Sequence, residues 1–384
     1  MKLRRVSAVA RKEWQEILRD RLFFTLAFVV PAMLMLLFGY GLSLDVERVP
    51  FAIADYDRSA TSRDYAYRFI DSRYFALQGY AKDDRELDPL LRDNKIRVAI
   101  VIPPDFESNL LAGRAARVQT LIDGTLPGRA ATTKGYVSAI NAAFNRERFA
   151  AQLARSRGLT LETARDLAEP IRLEVRYLYN QSLSSIHSLA PKLIMFILMF
   201  TPPLLTAVGV VREKESGSIY NIYASTVSRG EFLIGKLSPY VAISMGNVAI
   251  LWLMAVMVFG APFKGSLLFY LAASTLFVAC TTAIGLLVSL IVKTQLAATI
   301  VTVILTMVPA IDFSGFLVPV ESLTAEGQIE AHLFPAMYYT DVVVGIFLKD
   351  IGPSTLWPNL LVLTVYTAGL FVAGYALFRK RPRT

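Results

Sequence analysis

Six apolar runs, one ahead of a long polar stretch and five behind it, limit what this chain can fold into. The first run covers 22–44 and the polar stretch 45–188; the others lie at about 189–211, 237–259, 267–292, 296–318 and 360–378. Each is close to the ~20 residues a helix needs to cross ~30 Å of hydrocarbon. Hydrophobic residues make up 54% of the 384, too many for one soluble domain and too few for spans alone. The expected fold class is an integral membrane protein, mainly α-helical. Six transmembrane helices are read in a one-plus-five order, with an α/β extracytoplasmic domain inserted between helices 1 and 2.

The net charge of +9 invites a nucleic-acid reading, which the distribution of charge excludes. Basic residues gather beside the apolar runs: Arg4, Arg5, Arg11, Lys12, Arg19 and Arg21 before the first, Arg212, Lys214, Arg229 and Lys236 between the second and third, and Arg379, Lys380, Arg381 and Arg383 at the end. The short opposite loops carry little beyond Lys264 and Lys349. This positive-inside asymmetry places both termini in the cytoplasm and 45–188 outside, since long domains translocate largely regardless of charge. The lone cysteine, Cys280, leaves the outer domain without a disulfide. No small-residue cleavage site follows 22–44, so that run is read as an uncleaved anchor.

Residues 1–21 read as a cytoplasmic interfacial helix. Leu3, Val6, Ala10, Trp14 and Ile17 fall within a sector of about 80° at ~100° per residue, with basic residues opposite. Such a helix is expected to lie on the inner leaflet. In 45–188, apolar stretches at 51–54, 74–80, 97–102 and 118–122 alternate with helical patterns at 59–71, 83–93 and 130–156, which predicts a partly parallel sheet. The alternation of Ile171, Leu173, Val175, Tyr177 and Tyr179 with charged residues predicts one more strand.

Catalytic chemistry finds little footing. The stretch from Gly230 to Lys236 has the spacing of a phosphate loop, but Leu237 stands where a magnesium-binding hydroxyl belongs and an apolar run follows. Asp55-Tyr56-Asp57-Arg58-Ser59 resembles a phosphotransferase nucleophile loop, yet reads better as a strand end with Ser59 or a neighbour capping the next helix. His187 and His332 lack partners at metal-ligand spacing. No catalytic residue, metal site or bound cofactor is therefore expected. Pro202-Pro203 should kink the second span. Asp312, just before Phe313-Ser314-Gly315, is the conspicuous charge in an apolar run, either lining a pathway or bonding a neighbouring span. Residues 319–356 are too polar to span and are expected as short outer re-entrant helices.

The segment 212–229 is the richest. It joins the cluster Arg212-Glu213-Lys214-Glu215 to Gly217, Ser218, Ile219 and Ile222 in what reads as a cytoplasmic loop, 212–236. Apolar side chains in a charged connector suit a docking surface. Arg-Glu-Lys-Glu-x-Gly-Ser at 212–218, then Ser225-Thr226-Val227-Ser228-Arg229 and Glu231-Phe232-Leu233-Ile234-Gly235-Lys236, resembles the permeases of ABC-2 type exporters. The resemblance is to the bacterial multidrug-efflux subgroup with a large periplasmic domain. Asp55-x-Asp57-x-Ser59, Ile102-Pro103-Pro104-Asp105-Phe106, Asp123-Gly124, Tyr179-Asn180 and Phe313-Ser314-Gly315 carry it along the chain. Many relatives have Gly-Thr-x-Glu after the charge cluster, where this chain has Gly217-Ser218-Ile219-Tyr220; others have Arg where this chain has Val344.

The resemblance implies a permease of the bacterial inner membrane that exports a drug-like, amphipathic or lipidic substrate and is powered by a separate ABC ATPase subunit. ATP and magnesium would sit on that partner. Arg212, Glu213, Lys214, Glu215, Gly217, Ser218, Ile219 and Ile222 would form the coupling contact. Pro202, Pro203, Asp312, Phe313, Ser314 and Gly315 would line a pathway or gate. The permease would pair with itself or a paralogue, and a periplasmic adaptor protein is a further expected partner. The competing readings are a mechanotransmitting subunit that relays ATPase motion without transport, or a scaffold.

Overall fold

The computed structural model describes residues 3–42, 45–171, 174–218 and 227–378. The chain divides into two compact units, Met1–Leu44 with Arg176–Thr384, and Asp45–Val175. The first unit opens with α1 (Leu3–Arg19) and α2 (Arg21–Gly41), the latter wound as a π-helix over Thr25–Val29. Asp20 separates them. Its carboxylate accepts from the backbone N–H groups of Leu22 and Phe23 and so caps α2.

The second unit runs β1 (Val49–Asp55), α3 (Ala60–Ile70), β2 (Phe75–Ala81), α4 (Leu87–Arg92), β3 (Val98–Ile102), α5 (Phe106–Leu111), β4 (Gln119–Ile122), α6 (Pro127–Arg157) and α7 (Leu161–Ala168). Strand order is β2-β1-β3-β4, with β1 parallel to β2 and β3, and β4 antiparallel to β3. This is the partly parallel α/β sheet expected. Alternation sends Phe51, Ile53, Val98 and Ile100 to one face, where Tyr65 and Phe69 of α3 and Val137 and Phe144 of α6 cover them. Ala52, Ala54 and Ala99 face the other way, against Leu87 and Ile96. At the end of β1, Asp55 accepts from Asp57 N, Arg58 N and Ser62 Oγ, while Ser59 caps α3 by accepting from Ser62 N. The acidic turn is thus committed to backbone and capping bonds.

The strand expected over 171–179 does not form among the described residues: 174–178 have no secondary structure, and Val175, Tyr177, Leu178 and Tyr179 are exposed. An alternating pattern needs a partner strand, and the four strands of the sheet pair only with one another. The compact unit also ends at Val175, short of the expected boundary at 188.

The first unit resumes with α8 (Ser185–Glu215), α9 (Arg229–Val258), α10 (Leu267–Ile291), α11 (Gln295–Asp312), α12 (Ala325–His332), α13 (Pro335–Lys349) and α14 (Pro353–Leu377). Among the described residues, six helices, α2, α8, α9, α10, α11 and α14, are long and apolar enough to cross a membrane. Helix α8 is the centre of the bundle, buried along nearly all of its apolar length. Pro191, Pro202 and Pro203 lie inside it without ending it. Helix α10 approaches α8 closely there: a Cβ on Gly285 would lie 2.2 Å from the Pro203 carbonyl oxygen, so only glycine permits the contact.

Within 319–356, α12 and α13 meet at 88°. The second of them is not a surface element. Tyr339, Val342, Val343, Ile346 and Phe347 are fully buried in the bundle core, and Tyr339 stacks on Phe277 at 4.1 Å with its hydroxyl 2.7 Å from Ser274 Oγ. The last span begins at Pro353, earlier than the apolar run at 360 implied, because Pro353 supplies a favourable first helical turn.

Candidate functional site

The most concentrated chemistry in the first unit joins α1 to facing ends of α8 and α9. Lys236 of α9 is fully buried, and its Nζ donates to Glu13 Oε1 of α1 at 2.6 Å. The same Nζ lies 2.7 Å from Glu213 Oε2 of α8, an ion-pair contact without hydrogen-bond alignment. Lys12 Nζ donates to Glu213 Oε1 at 2.6 Å, and the Tyr240 hydroxyl donates to Glu13 Oε2 at 3.1 Å. Two carboxylates and two ammonium groups thus alternate and cancel. Burial raises the Glu13 pKa above the carboxylate range and the neighbouring Glu213 adds to this, while Lys236 opposes it. Burial works against the charge on Lys12, but Glu213, Glu16 and Glu13 outweigh it and hold its pKa above the ordinary lysine value.

Glycines make the cluster possible. A Cβ on Gly209 would fall 2.1 Å from the Tyr240 hydroxyl, and one on Gly235 would fall 2.9 Å from the Val6 carbonyl. Carboxylate oxygens of Glu13, Glu16 and Glu213 lie within 4.8 Å of one another, the spacing of a cation site. Lys12 and Lys236 already neutralise Glu13 and Glu213, so the donor set does not fit a metal. Beside the cluster opens a cavity of about 660 Å³ lined by Lys12, Glu16, Asp20, Arg212, Ser216 and Ser218 among others.

The charge cluster 212–215 is helical. It forms the last turn of α8, and every member is engaged within the chain. Arg212 pairs with Asp20 and stacks over Phe23 at 5.2 Å. That bond, helped by the capping N–H groups, outweighs the opposing effect of burial and holds the Asp20 carboxyl below its ordinary value. Glu213 is buried as described. Lys214 donates to the Ser289 carbonyl, and Glu215 accepts from Gln295 N at 2.8 Å. Of the loop expected over 212–236, residues 212–215 and 229–236 are helical instead. Helix α9 takes up again at Arg229, where Ser228 and Glu231 form a capping box, Ser228 N donating to Glu231 Oε2 at 2.9 Å and Glu231 N to Ser228 Oγ at 3.3 Å. Residues 230–236 are therefore helical and not a phosphate loop. The connector proper is 216–228. Gly217 turns it at φ +74°, and the Ser218 hydroxyl donates to the Glu213 carbonyl at 3.4 Å. Ile219 and Ile222 lie outside the described residues.

Helix α1 exposes part of its apolar stripe. Glu13 and Ile17 are buried against the bundle, whereas Leu3 and Trp14 are 80% and 40% exposed.

At the opposite end of the bundle, Phe313-Ser314-Gly315 follows α11. Ser314 Oγ donates to the Ala310 carbonyl, and Gly315 sits at φ +77°. Asp312 is exposed beside Phe313, Leu317 and Val318. Lys192 of α8 donates to the carbonyls of Gly315 at 2.7 Å and Phe316 at 3.3 Å. Pro202 and Pro203 are buried in mid-helix, with Pro203 against α10.

The two clusters thus lie at opposite ends of the apolar helices, around the buried central helix α8. Comparison with known proteins decides the family. The family model described as "ABC-2 family transporter protein" matches residues 22–376. The chain belongs to the ABC-2 family. It is 31% identical over 380 residues to the "Probable multidrug ABC transporter permease YbhS" of Escherichia coli (strain K12), covering 98% of this chain and 97% of that one. It is 26% identical over 377 residues to the "Probable multidrug ABC transporter permease YbhR" of the same strain, covering 98% and 99%. With the "Inner membrane transport permease YhhJ" of that strain it shares 27% identity over 389 residues, covering 98% of both.

This ABC-2 permease gathers Arg212, Glu213, Lys214, Glu215, Gly217 and Ser218 at one end of α8, as the sequence grouped them, but pairs their charges within the chain, with Glu213 buried and Arg212 and Glu215 exposed. It keeps Asp312, Phe313, Ser314 and Gly315 together at the other end and leaves Pro202 and Pro203 apart from them. Sequence reasoning missed Glu13, Lys236, Tyr240 and Lys192. A signal existed for the first two: Glu13 sits at the edge of the apolar sector of α1, and Lys236 heads an apolar run.

Proposed function

We propose that this chain is the membrane-spanning permease of an ATP-driven exporter. It moves a drug-like or amphipathic substrate out of the cytoplasm or inner leaflet, and a separate ATPase subunit that binds ATP and magnesium supplies the energy. The observation that carries the reading is the neutral tetrad Lys12–Glu213–Lys236–Glu13, with Glu13, Glu213 and Lys236 buried and Lys12 at its exposed edge. It fastens α1, α8 and α9 together where the 216–228 connector leaves the bundle. A partner pressing on that connector pushes on a rigid platform, and the push passes into α8, the central helix. ATP binding can shift the transporter between states only through contacts that differ between them. The connector's Gly217 turn and Ser218 are the near ends of that contact, with Ile219 and Ile222 as its apolar part. On this reading the tetrad end faces the cytoplasm, as do both termini, the 45–175 unit is periplasmic, and two permeases pair in the inner membrane, with a periplasmic adaptor as a further partner.

The test is reconstitution. The purified permease and the ATPase that co-purifies with it are placed in liposomes, and flux of a fluorescent amphipathic cation is followed on adding ATP. ATP-dependent flux that needs both proteins is expected. ATP turnover stimulated by the permease without flux of any amphipath would favour a mechanotransmitting subunit instead.

A further inference from the structure

Lys192 carries chemistry that the pathway residues do not account for. It lies in the apolar span α8, mostly buried, and the two acceptors recorded for its Nζ are backbone carbonyls, those of Gly315 at 2.7 Å and Phe316 at 3.3 Å. Among the described residues no carboxylate comes within ion-pair distance. Asp341 and Glu321 reach it only through longer-range Coulomb attraction. The same turn is held to α8 a second time, by Phe316 stacking on Phe196 at 5.1 Å. Its other side is open: Phe313, Leu317, Val318 and Leu323 line a cleft of about 560 Å³. The turn therefore has room to swing away from α8, and Gly315 at φ +77° gives it a backbone that few other residues would tolerate.

We propose that Lys192 is a positioning residue for export, a latch that holds the 313–318 turn on α8 and keeps this end of the bundle closed. Resting on the export reading above, this is the outer end. The chemistry suits a latch that must open. An ammonium paired with a buried carboxylate would leave an uncompensated charge on parting. An ammonium held by carbonyls exchanges them for water, which solvates both sides of the broken contact. Entry of water at the mouth of the pathway thus releases Lys192 at little cost, and its exclusion re-forms the contact.

The test uses the full chain with Cys280→Ser and Ser314→Cys. Ser314 is buried beside the latch, so the rate at which a maleimide modifies the new thiol in purified protein reports opening. Lys192→Met should raise that rate about tenfold, the size expected for losing a charge-assisted hydrogen bond. Lys192→Arg, which keeps the donors, should hold it within about twofold of the parent. Labelling of Lys192→Met at the parent rate, or of Lys192→Arg at the Lys192→Met rate, overturns the latch. If Lys192→Met does not fold, Lys192→Gln, with one weaker donor pair, is read by the same standard: an unchanged rate overturns the proposal. Labelling requires neither ATPase nor transported substrate. Absence of flux in the wild-type reconstitution faults the export reading, whereas unchanged labelling faults only the latch.

Discussion

Lys236→Met is the perturbation that loads the tetrad most heavily. The ammonium lies 2.6 Å from Glu13 Oε1 and 2.7 Å from Glu213 Oε2 with no exposed surface. At an effective dielectric of ~20, each contact amounts to about 6 kcal/mol of attraction. Removing the lysine also removes its desolvation cost of several kcal/mol, so the two terms largely offset. What remains is two buried carboxylates sharing only Lys12, and removing one partner of a buried pair typically costs ~3–5 kcal/mol. The assay is unfolding of the purified permease by SDS titration, with Lys236→Met beside Glu13→Gln and the double variant. Lys236→Met should lose ~3–5 kcal/mol. The double variant restores one carboxylate to one ammonium, so it should be more stable than Lys236→Met alone by at least ~1 kcal/mol, a non-additivity expected of residues in one network. A loss under 1 kcal/mol, or additive behaviour in the double variant, would refute the claim that the four charges act as a unit.

Other expectations follow from single sites. Gly209→Ala should destabilise the permease by ~1–3 kcal/mol by displacing the Tyr240 hydroxyl, and adding Tyr240→Phe, which deletes the clashing atom, should recover part of the loss in the same titration. Gly285→Ala meets the backbone of Pro203, not a mobile side chain, so it should cost at least as much and no partner substitution of that kind should rescue it. In the 45–175 unit, the Thr125 hydroxyl and N–H and then Arg97 hold the Asp123 pKa down to about 2. A depressed carboxylate stabilises the fold above its unfolded pKa of ~3.9. That contribution should be lost as pH falls from about 4 to 2, and Asp123→Asn should flatten the unfolding profile in that window. Gly217→Pro removes the N–H that donates to the Lys214 carbonyl at 3.2 Å and cannot adopt φ +74°. It should abolish co-purification of the ATPase while costing the fold only ~1–2 kcal/mol in the same titration, less than Lys236→Met. Glu213→Ala should behave oppositely, as a folding lesion first, because its carboxylate is buried in the tetrad.

Much of this fold was legible because period and length carry it. The runs that became α2, α8, α9, α10, α11 and α14 are recognisable from hydrocarbon thickness alone, and β1 and β3 from short β-branched and apolar stretches closed by Asp55 and Pro103. The failures have physical causes. The pattern at 171–179 alternates like a strand, but its described residues pair with none of the four strands of the sheet. The start of α9 was misplaced although Ser228 and Glu231 spell a capping box, because hydropathy falls in the polar first turns before the apolar run. The tetrad was hidden most thoroughly. Its key bond joins residues 223 apart in sequence, and within 212–215 it is Glu213 whose partner, Lys12, comes from distant α1. Lys192 was hidden in the same way, being matched to carbonyls 123 and 124 residues away.

The central claim is that power enters through the 216–228 connector standing on the tetrad. A photo-cross-linking amino acid placed at Ser218, with Asp84 as the control position, tests it most directly in intact cells producing the full transporter. Capture of the ATPase at Ser218 but not at Asp84, with an efficiency that changes when ATP hydrolysis is arrested by vanadate, is the predicted result. No capture at Ser218, or equal capture at both positions, would contradict the account.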